Sequence, residues 1–157
     1  MAARSATLAV LRGLLVIILL VGIIGTGIEL LLLEHTDGVW QVVPLVLLGV
    51  ALLVLSWHLI TRNSASVHAI RLLMLGFVLS GVAGLLLHYR GNLEFERELH
   101  TTAAGFELFW EAIKGATPTL APGTMIQLGL IGLVYTYRHP ALSARGSSDS
   151  ATITREQ

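Results

Sequence analysis

Hydrophobic residues fall into four long runs along this chain, separated by short polar segments. A helix needs about 20 apolar residues to cross the hydrocarbon core of a bilayer. Trp40 and Trp57 flank the second run, and Tyr135 and Tyr137 lie near the end of the fourth, as in the aromatic belts of membrane proteins. The pattern predicts four membrane-spanning helices at about residues 13–33, 42–60, 69–88 and 120–137.

Composition favours the same class of protein. Of the 157 residues, 54% are hydrophobic and 13% are charged, and the mean hydropathy is +0.77, whereas soluble domains contain about 25% charged residues. The chain has no cysteine, which excludes disulfides and thiolate metal sites. The first run exceeds the 7–15 residues of a signal-peptide core and is not followed by a small-residue cleavage site. We therefore expect it to be an uncleaved first span.

The basic residues predict the orientation of the spans. With four spans, seven of the ten Lys and Arg residues lie on one side, and only Arg90, Arg97 and Lys114 lie on the other. The positive-inside rule then places both termini in the cytoplasm. We expect an all-α, antiparallel four-helix bundle over residues 1–139, integral to a bacterial inner membrane, followed by a disordered cytoplasmic tail over 140–157.

Small and polar residues recur at helical spacing within the runs. Because lipid is as apolar as leucine, helices in membranes associate through close packing at small residues. We expect the first, third and fourth spans to make the closest contacts. The residues predicted to mediate this packing are Gly22, Thr26, Gly76, Ser80, Gly84 and Gln127.

A polar segment between the third and fourth runs predicts an outer amphipathic cap at about residues 92–115. Gly91 is suited to ending the third helix, and Asn92 to capping the next one. Residues 93–101 alternate between apolar and charged, so an extended conformation is an alternative, but a helix is favoured because a lone strand would have unpaired edges. The cap residues predicted to form one apolar face are Phe106, Phe109, Trp110 and Ile113.

Candidate chemistry lies on the predicted outer side. Glu29 is the one acid inside an apolar run, and His35, His88 and Glu94 are expected near the same boundary. Such groups suit a ligand or a divalent ion such as zinc, manganese or calcium, although no recognised metal-binding spacing is present. The alternative is an acidic surface in water, with Glu29 paired to Gln127, His88 or Arg90.

The sequence contains no nucleophile elbow, phosphate-binding loop or dinucleotide fingerprint, so we expect a non-enzymatic protein without a cofactor. The first hypothesis is a docking or assembly subunit that binds a membrane partner, or its own copies, through the small-residue faces of its helices and the outer acidic cap. The second is an ion- or ligand-binding or transport protein with a site at Glu29, His35, His88 and Glu94. The third is a haem-carrying electron-transfer subunit. This chain lacks the histidine pair that such a subunit needs, since His58 and His68 flank one short loop rather than facing each other from two spans. Zero net charge gives no reason to expect nucleic acid as a partner.

Overall fold

The computed structural model describes residues 2–100, 102 and 104–143, and within these residues the chain is helical with no strand. The all-α prediction is confirmed for this part of the chain. A short last helix occupies the beginning of the predicted disordered tail, and residues 144–157 of that tail lie outside the described residues. The helices are α1 (Ala2–Leu32), α2 (Val39–Thr61), α3 (Ser64–Leu99), α4 (Gly105–Lys114), α5 (Gly123–Thr136) and α6 (Pro140–Ser143).

Three helices, α1, α2 and α3, are long and apolar enough to cross a membrane. Large aliphatic side chains cover their outward surfaces; Ile17, Leu53 and Leu79 are each more than half exposed. Such an extensive apolar surface is suited to lipid rather than to water. The helix of the fourth apolar run, α5, has only 14 residues. It is therefore about 21 Å long, which is less than the roughly 30 Å of a hydrocarbon core.

Helix α3 is longer than the sequence pattern predicts, because it continues through Gly91 and Asn92 as far as Leu99. The prediction that Gly91 ends the third helix and that Asn92 caps a new one is wrong. Asn92 is instead buried within the continuous helix, where its side chain bonds to the segment that follows α4. Of the two alternatives for residues 93–101, the structure has a helix over residues 93–99.

Close packing centres on α3, which contacts α2, α4 and α5, while α1 contacts α2 and α5. The fourth apolar run thus meets the first and third, as expected. The prediction that these three spans make the closest contacts is wrong in part, because α2 packs on α3 more extensively than α1 packs on α5. Between α3 and α5 the backbones approach closely. A Cβ atom at Gly81 would lie 2.8 Å from the carbonyl oxygen of Pro122, and one at Gly129 would lie 2.7 Å from the carbonyl oxygen of Met74. Only glycine fits at such distances.

Contacts between helix ends show that successive long helices run in opposite directions. Arg12 near the start of α1 donates to the carbonyl oxygen of Arg138 after α5, at 3.1 Å. His58 near the end of α2 bonds to Tyr135 of α5. We call this the His58 end. The opposite end, which contains the α1–α2 turn, the last part of α3 and α4, is called the His88 end.

Candidate functional site

A cavity of 550 Å³ lies between α1, α2, α3 and α5 at the His88 end. This volume is within the range of about 300–1,000 Å³ typical of small-molecule sites. Much of the wall is apolar and includes Leu30, Val43, Leu87 and Met125, one residue from each of the four helices. Its polar side chains include Thr26, Glu29, His35, Gln41, Ser80 and His88.

Three of the four residues predicted as ligands line this cavity together: Glu29, His35 and His88. The centroids of the His35 and His88 rings are 6.4 Å apart, so the α1–α2 turn meets α3 here. Glu94, which the structure also describes, is not part of the wall. It is exposed on the extension of α3, because that helix continues past His88 instead of turning back.

Hydrogen bonds orient the polar groups at the cavity. His88 Nδ1 donates to the carbonyl oxygen of Pro118 at 3.0 Å, so Nε2 is the ring nitrogen that remains for a ligand. The side-chain oxygen of Gln41 accepts from the backbone N–H of Asp37 at 2.8 Å. Burial, and then the neighbouring His88, lower the pKa of His35. The His35 ring is therefore neutral at neutral pH, so it adds no positive charge to the cavity.

Small residues on α3 leave the space that the cavity occupies. Ser80, Ala83 and Gly84 line it in succession, so over these positions α3 carries no large side chain that would fill the volume. Gly84 also admits Pro122, since a Cβ atom there would lie 2.7 Å from the Pro122 Cβ. Part of the small-residue stripe that the sequence assigns to helix packing therefore borders an open volume.

The other residues predicted for helix packing have different surroundings. A side chain at Gly22 would overlap Leu128 of α5, so this glycine lies at a tight contact. Gly76 faces Leu47 of α2, at an ordinary contact of 3.5 Å for an added Cβ. Thr26 lines the cavity. Gln127 is exposed on α5.

Neither a metal cluster nor an ion pair is formed by Glu29 in the described part of the chain. Over residues 2–100, 102 and 104–143, no group of three or more His, Asp or Glu side chains is placed to hold a metal ion. The two ion pairs found there join Glu96 to His100 and Glu111 to Lys114, both on the exposed segment beyond the cavity. The carboxylate of Glu29 thus has no cationic side chain of the described residues beside it.

Asn92 of α3 bonds to residues 112–119, in the stretch that includes the end of α4 and the residues after it. We call α4 and the residues up to 119 the cap segment. Its side-chain nitrogen donates to the carbonyl oxygens of Ala112 at 3.0 Å and Thr117 at 2.7 Å, and also to the Thr119 hydroxyl. Its oxygen accepts from the Thr117 backbone N–H at 3.0 Å and from the Thr117 hydroxyl. A single amide therefore satisfies several polar groups between α4 and α5, close to the cavity mouth.

The cap helix α4 buries a different face from the aromatic one. Leu108 and Ala112 are buried, while Phe106 is 77% exposed and Trp110 is 49% exposed. The rings of Phe106 and Trp110 stack on each other with centroids 6.4 Å apart. Of the remaining predicted cap residues, Phe109 is exposed and Ile113 is half-buried. The aromatic face is thus available to lipid or to another protein.

A second polar cluster, at the His58 end, is not evident from the sequence pattern. The Tyr135 hydroxyl donates to His58 Nε2, and His58 Nδ1 donates to Ser66 Oγ, each at 2.7 Å. The direction of these bonds follows because the Ser66 hydroxyl donates to the carbonyl oxygen of Asn63, at 2.8 Å. Tyr135 is buried in this cluster and does not lie in an aromatic belt as predicted. The available signal was a histidine inside an apolar run, because a polar group there requires a partner.

His139 completes the cluster from the segment after α5. Its ring centroid is 5.2 Å from that of His58, and the residue is buried. Burial, followed by the proximity of His58, Arg12 and Arg71, lowers the pKa of His139 to about 4. The ring is therefore neutral at neutral pH. The cluster joins α2, α3 and α5 through neutral hydrogen-bonding groups, and it lies at the opposite end of the molecule from the cavity.

No protein family, curated protein or solved structure shows significant similarity to this chain.

Proposed function

We propose that this chain is a small, non-enzymatic integral membrane protein that binds a small apolar or amphipathic molecule in the cavity at the His88 end. The observation that carries this proposal is the convergence of Glu29, His35 and His88 on one largely apolar cavity of 550 Å³. Small-molecule sites combine an apolar wall with a few polar groups in this way. The three residues come from α1, the α1–α2 turn and α3, so folding brings them together.

Membrane insertion of all four apolar segments is part of the proposal. Although α5 is short, residues 118–122 extend it as turns in which Ala121 N–H bonds to Pro118 O and Gly123 N–H bonds to Leu120 O. Such turns rise about 2 Å per residue, so residues 118–136 span about 30 Å. Non-helical backbone is tolerated at this depth where it is packed against protein, and Pro122 packs on Gly81 and Gly84. The four segments then form the four-span bundle.

The distribution of basic residues supports the orientation. Arg12, Arg62 and Arg71 lie toward the His58 end, whereas Arg90, Arg97 and Lys114 lie toward the His88 end, in a segment rich in acids. By the positive-inside rule the His58 end and both termini face the cytoplasm. The cavity then lies in the outer leaflet of an inner membrane, with α4 as the outer cap.

Binding can be measured through Trp40, which lines the cavity. Replacing Trp57 and Trp110 with phenylalanine leaves Trp40 as the sole tryptophan. We expect 4-bromobenzyl alcohol, an uncharged quencher, to quench this fluorescence saturably in nonionic detergent. Ala83→Leu in the same background should weaken the saturable component about tenfold, because the larger side chain occupies the cavity.

The matched control is Val82→Leu, since Val82 is the next residue of α3, is 43% exposed and does not line the cavity. It should leave the quenching curve unchanged. A variant that retains only Trp57 should show a linear, partition-type response. If Trp40 also responds only linearly, or if Ala83→Leu and Val82→Leu behave alike, the cavity does not bind such molecules and the proposal fails.

A second candidate function is docking of a membrane protein partner through the cap. The observation that favours it is the exposed aromatic face of α4, where Phe106, Phe109 and Trp110 are each at least 42% exposed while Leu108 is buried. Aromatic residues are enriched at the centres of protein interfaces. The small-residue surface at Gly84 cannot contribute to docking, because Pro122 of the same chain already packs on Gly84.

Docking predicts that Trp110→Ala weakens self-association or recovery of a membrane partner, by about tenfold in apparent affinity for an interface hot spot. Light scattering of the purified protein would measure self-association, and cross-linking in native membranes would measure recovery of a partner. Glu107→Ala is the control, because Glu107 is exposed on the same helix but is not part of the aromatic face. Equal association of the wild type and the Trp110 variant would exclude docking through this face.

A further inference from the structure

The charge on the cavity wall is unbalanced. Glu29 supplies one carboxylate, and the described residues that form the wall include no lysine or arginine. Burial lowers the pKa of His35, so its ring adds no positive charge at neutral pH. A carboxylate on an apolar wall interacts more strongly with a bound charge than it would in water, because the local dielectric constant is lower. A cation would therefore bind favourably beside Glu29, and an anion would be repelled.

Other groups on the wall also suit a cation. Trp40 lines the cavity from α2, and the face of an indole ring attracts cations. Pro44, four residues further along α2, has no N–H, so the carbonyl oxygen of Trp40 does not receive the usual helical bond from that position. Trp40 therefore offers a cation both the face of its ring and a carbonyl oxygen.

The surroundings of the cavity have the same electrostatic preference. Asp37 lines a second, smaller cavity of 330 Å³ that shares His35 and His88 with the first. Glu34 is exposed in the same α1–α2 turn. Acidic groups around an opening raise the local concentration of cations and repel anions.

Size and charge together limit the kind of cation. A volume of 550 Å³ accommodates a single drug-sized molecule, and the largely apolar wall favours one with apolar substituents. A two-chain phospholipid with an amine headgroup is disfavoured, because its phosphate would approach the Glu29 carboxylate. A free monovalent cation satisfies the carboxylate without this repulsion.

We infer that the cavity binds a lipophilic organic monocation, with its charge beside Glu29 and Trp40 and its apolar groups against the wall formed by α1, α2, α3 and α5. This inference rests on the proposed function, since it names the class of ligand for the same cavity. It assigns Glu29 as the residue that discriminates by charge, and it predicts discrimination between molecules of equal size and shape.

Tetraphenylphosphonium and tetraphenylborate provide the test, because they have nearly the same size and shape and opposite charges. Equilibrium dialysis of the purified full-length protein in nonionic detergent would measure saturable binding of each ion. We expect the wild type to bind the cation at least about tenfold more tightly than the anion, and Glu29→Gln to remove most of this difference. Glu34→Gln is the matched control, since it changes the net charge equally but lies outside the cavity wall.

The outcomes separate this inference from the proposed function. Glu29→Gln should retain saturable quenching of Trp40 by 4-bromobenzyl alcohol, which shows that the cavity remains intact. If that uncharged probe binds the wild type while the two ions bind equally, or neither ion binds, the preference for cations is overturned and the proposed function stands. An equal loss of cation binding in Glu34→Gln would overturn the assignment of Glu29. If no probe binds saturably, the proposed function itself fails.

Discussion

Replacing Gly129 with leucine is expected to separate α5 from α3 and to lower the midpoint of thermal unfolding in detergent by about 10 °C. A Cβ atom at Gly129 would lie 2.7 Å from the carbonyl oxygen of Met74 and 2.7 Å from a methyl group of Val78. Because one of the two clashing atoms belongs to the backbone of α3, the clash is relieved only if the two helices move apart. Overpacking of this kind costs up to about 3 kcal/mol, which corresponds to a shift of this size in a chain of this length.

Gly49→Leu is the matched control for Gly129→Leu. Gly49 also lies inside an apolar helix, α2, but nothing lies within 4 Å of an added Cβ atom. Leucine is a better helix former than glycine by about 1 kcal/mol, so the Gly49 variant should unfold at the same temperature as the wild type or slightly above it. If both variants have wild-type midpoints, α3 and α5 are not in the close contact that the structure shows.

This contrast also shows how far the spacing of small residues can be interpreted. The spacing of Gly76, Ser80 and Gly84 correctly marks α3 as a helix with close neighbours, but the glycine of α3 that meets the backbone at the start of α5 is Gly81, which lies outside this stripe. Glycines and serines on a helix form overlapping stripes, and only the position of the neighbouring backbone decides which one is covered. A small residue that is not covered leaves space, and Ser80 borders the cavity for this reason, whereas Gly84 is partly covered by Pro122.

The long helices could be predicted from the sequence because each hydrophobic run is a local feature of the chain. The end of α3 could not be predicted in this way, because it depends on contacts with residues far along the chain. Gly91 and Asn92 resemble a helix terminus when the chain is considered locally. Hydrogen bonds from Asn92 to residues 20–27 positions later favour the continuous helix instead.

The candidate site was partly predictable for a similar reason. Glu29 stands out as an acid in an apolar run, and the histidines near the same boundary could be grouped with it once the turns were placed. Glu94 could not be assigned correctly, since its position depends on the continuation of α3. His58 was visible as a polar residue in an apolar run, but its partners Ser66 and Tyr135 lie 8 and 77 residues away.

The two polar regions differ in how completely their groups are satisfied, and this difference indicates their roles. At the His58 end, Tyr135, His58 and Ser66 form a closed chain of hydrogen bonds that ends on the Asn63 carbonyl. Satisfied buried networks stabilise one arrangement of the helices. At the His88 end, Glu29 has no ion-pair partner among the described residues and borders a cavity. Ligand binding is therefore more readily assigned to the His88 end.

Replacing Asn92 with leucine is expected to release the cap segment while the four long helices remain folded. The substitution removes the hydrogen bonds that the amide makes to the Thr117 N–H and to the carbonyl oxygens of Ala112 and Thr117, although the Ala112 carbonyl keeps its bond from the Thr119 hydroxyl. Each lost hydrogen bond costs about 0.5–1.5 kcal/mol. A total of about 3 kcal/mol would raise the fraction of released cap roughly 100-fold, and cleavage by trypsin after Lys114 should accelerate accordingly.

The thermal midpoint distinguishes release of the cap segment from general unfolding. Because the core of α1, α2, α3 and α5 does not include Asn92, the thermal midpoint should change far less for this variant than for Gly129→Leu. Gln127→Leu is the control, since it replaces another amide with leucine at an exposed position of α5; its cleavage rate should match that of the wild type. Cleavage of Asn92→Leu at the wild-type rate would show that the amide does not hold the cap. Faster cleavage accompanied by saturable probe binding would show that the cavity forms without the cap, whereas loss of both would make the cap part of the site.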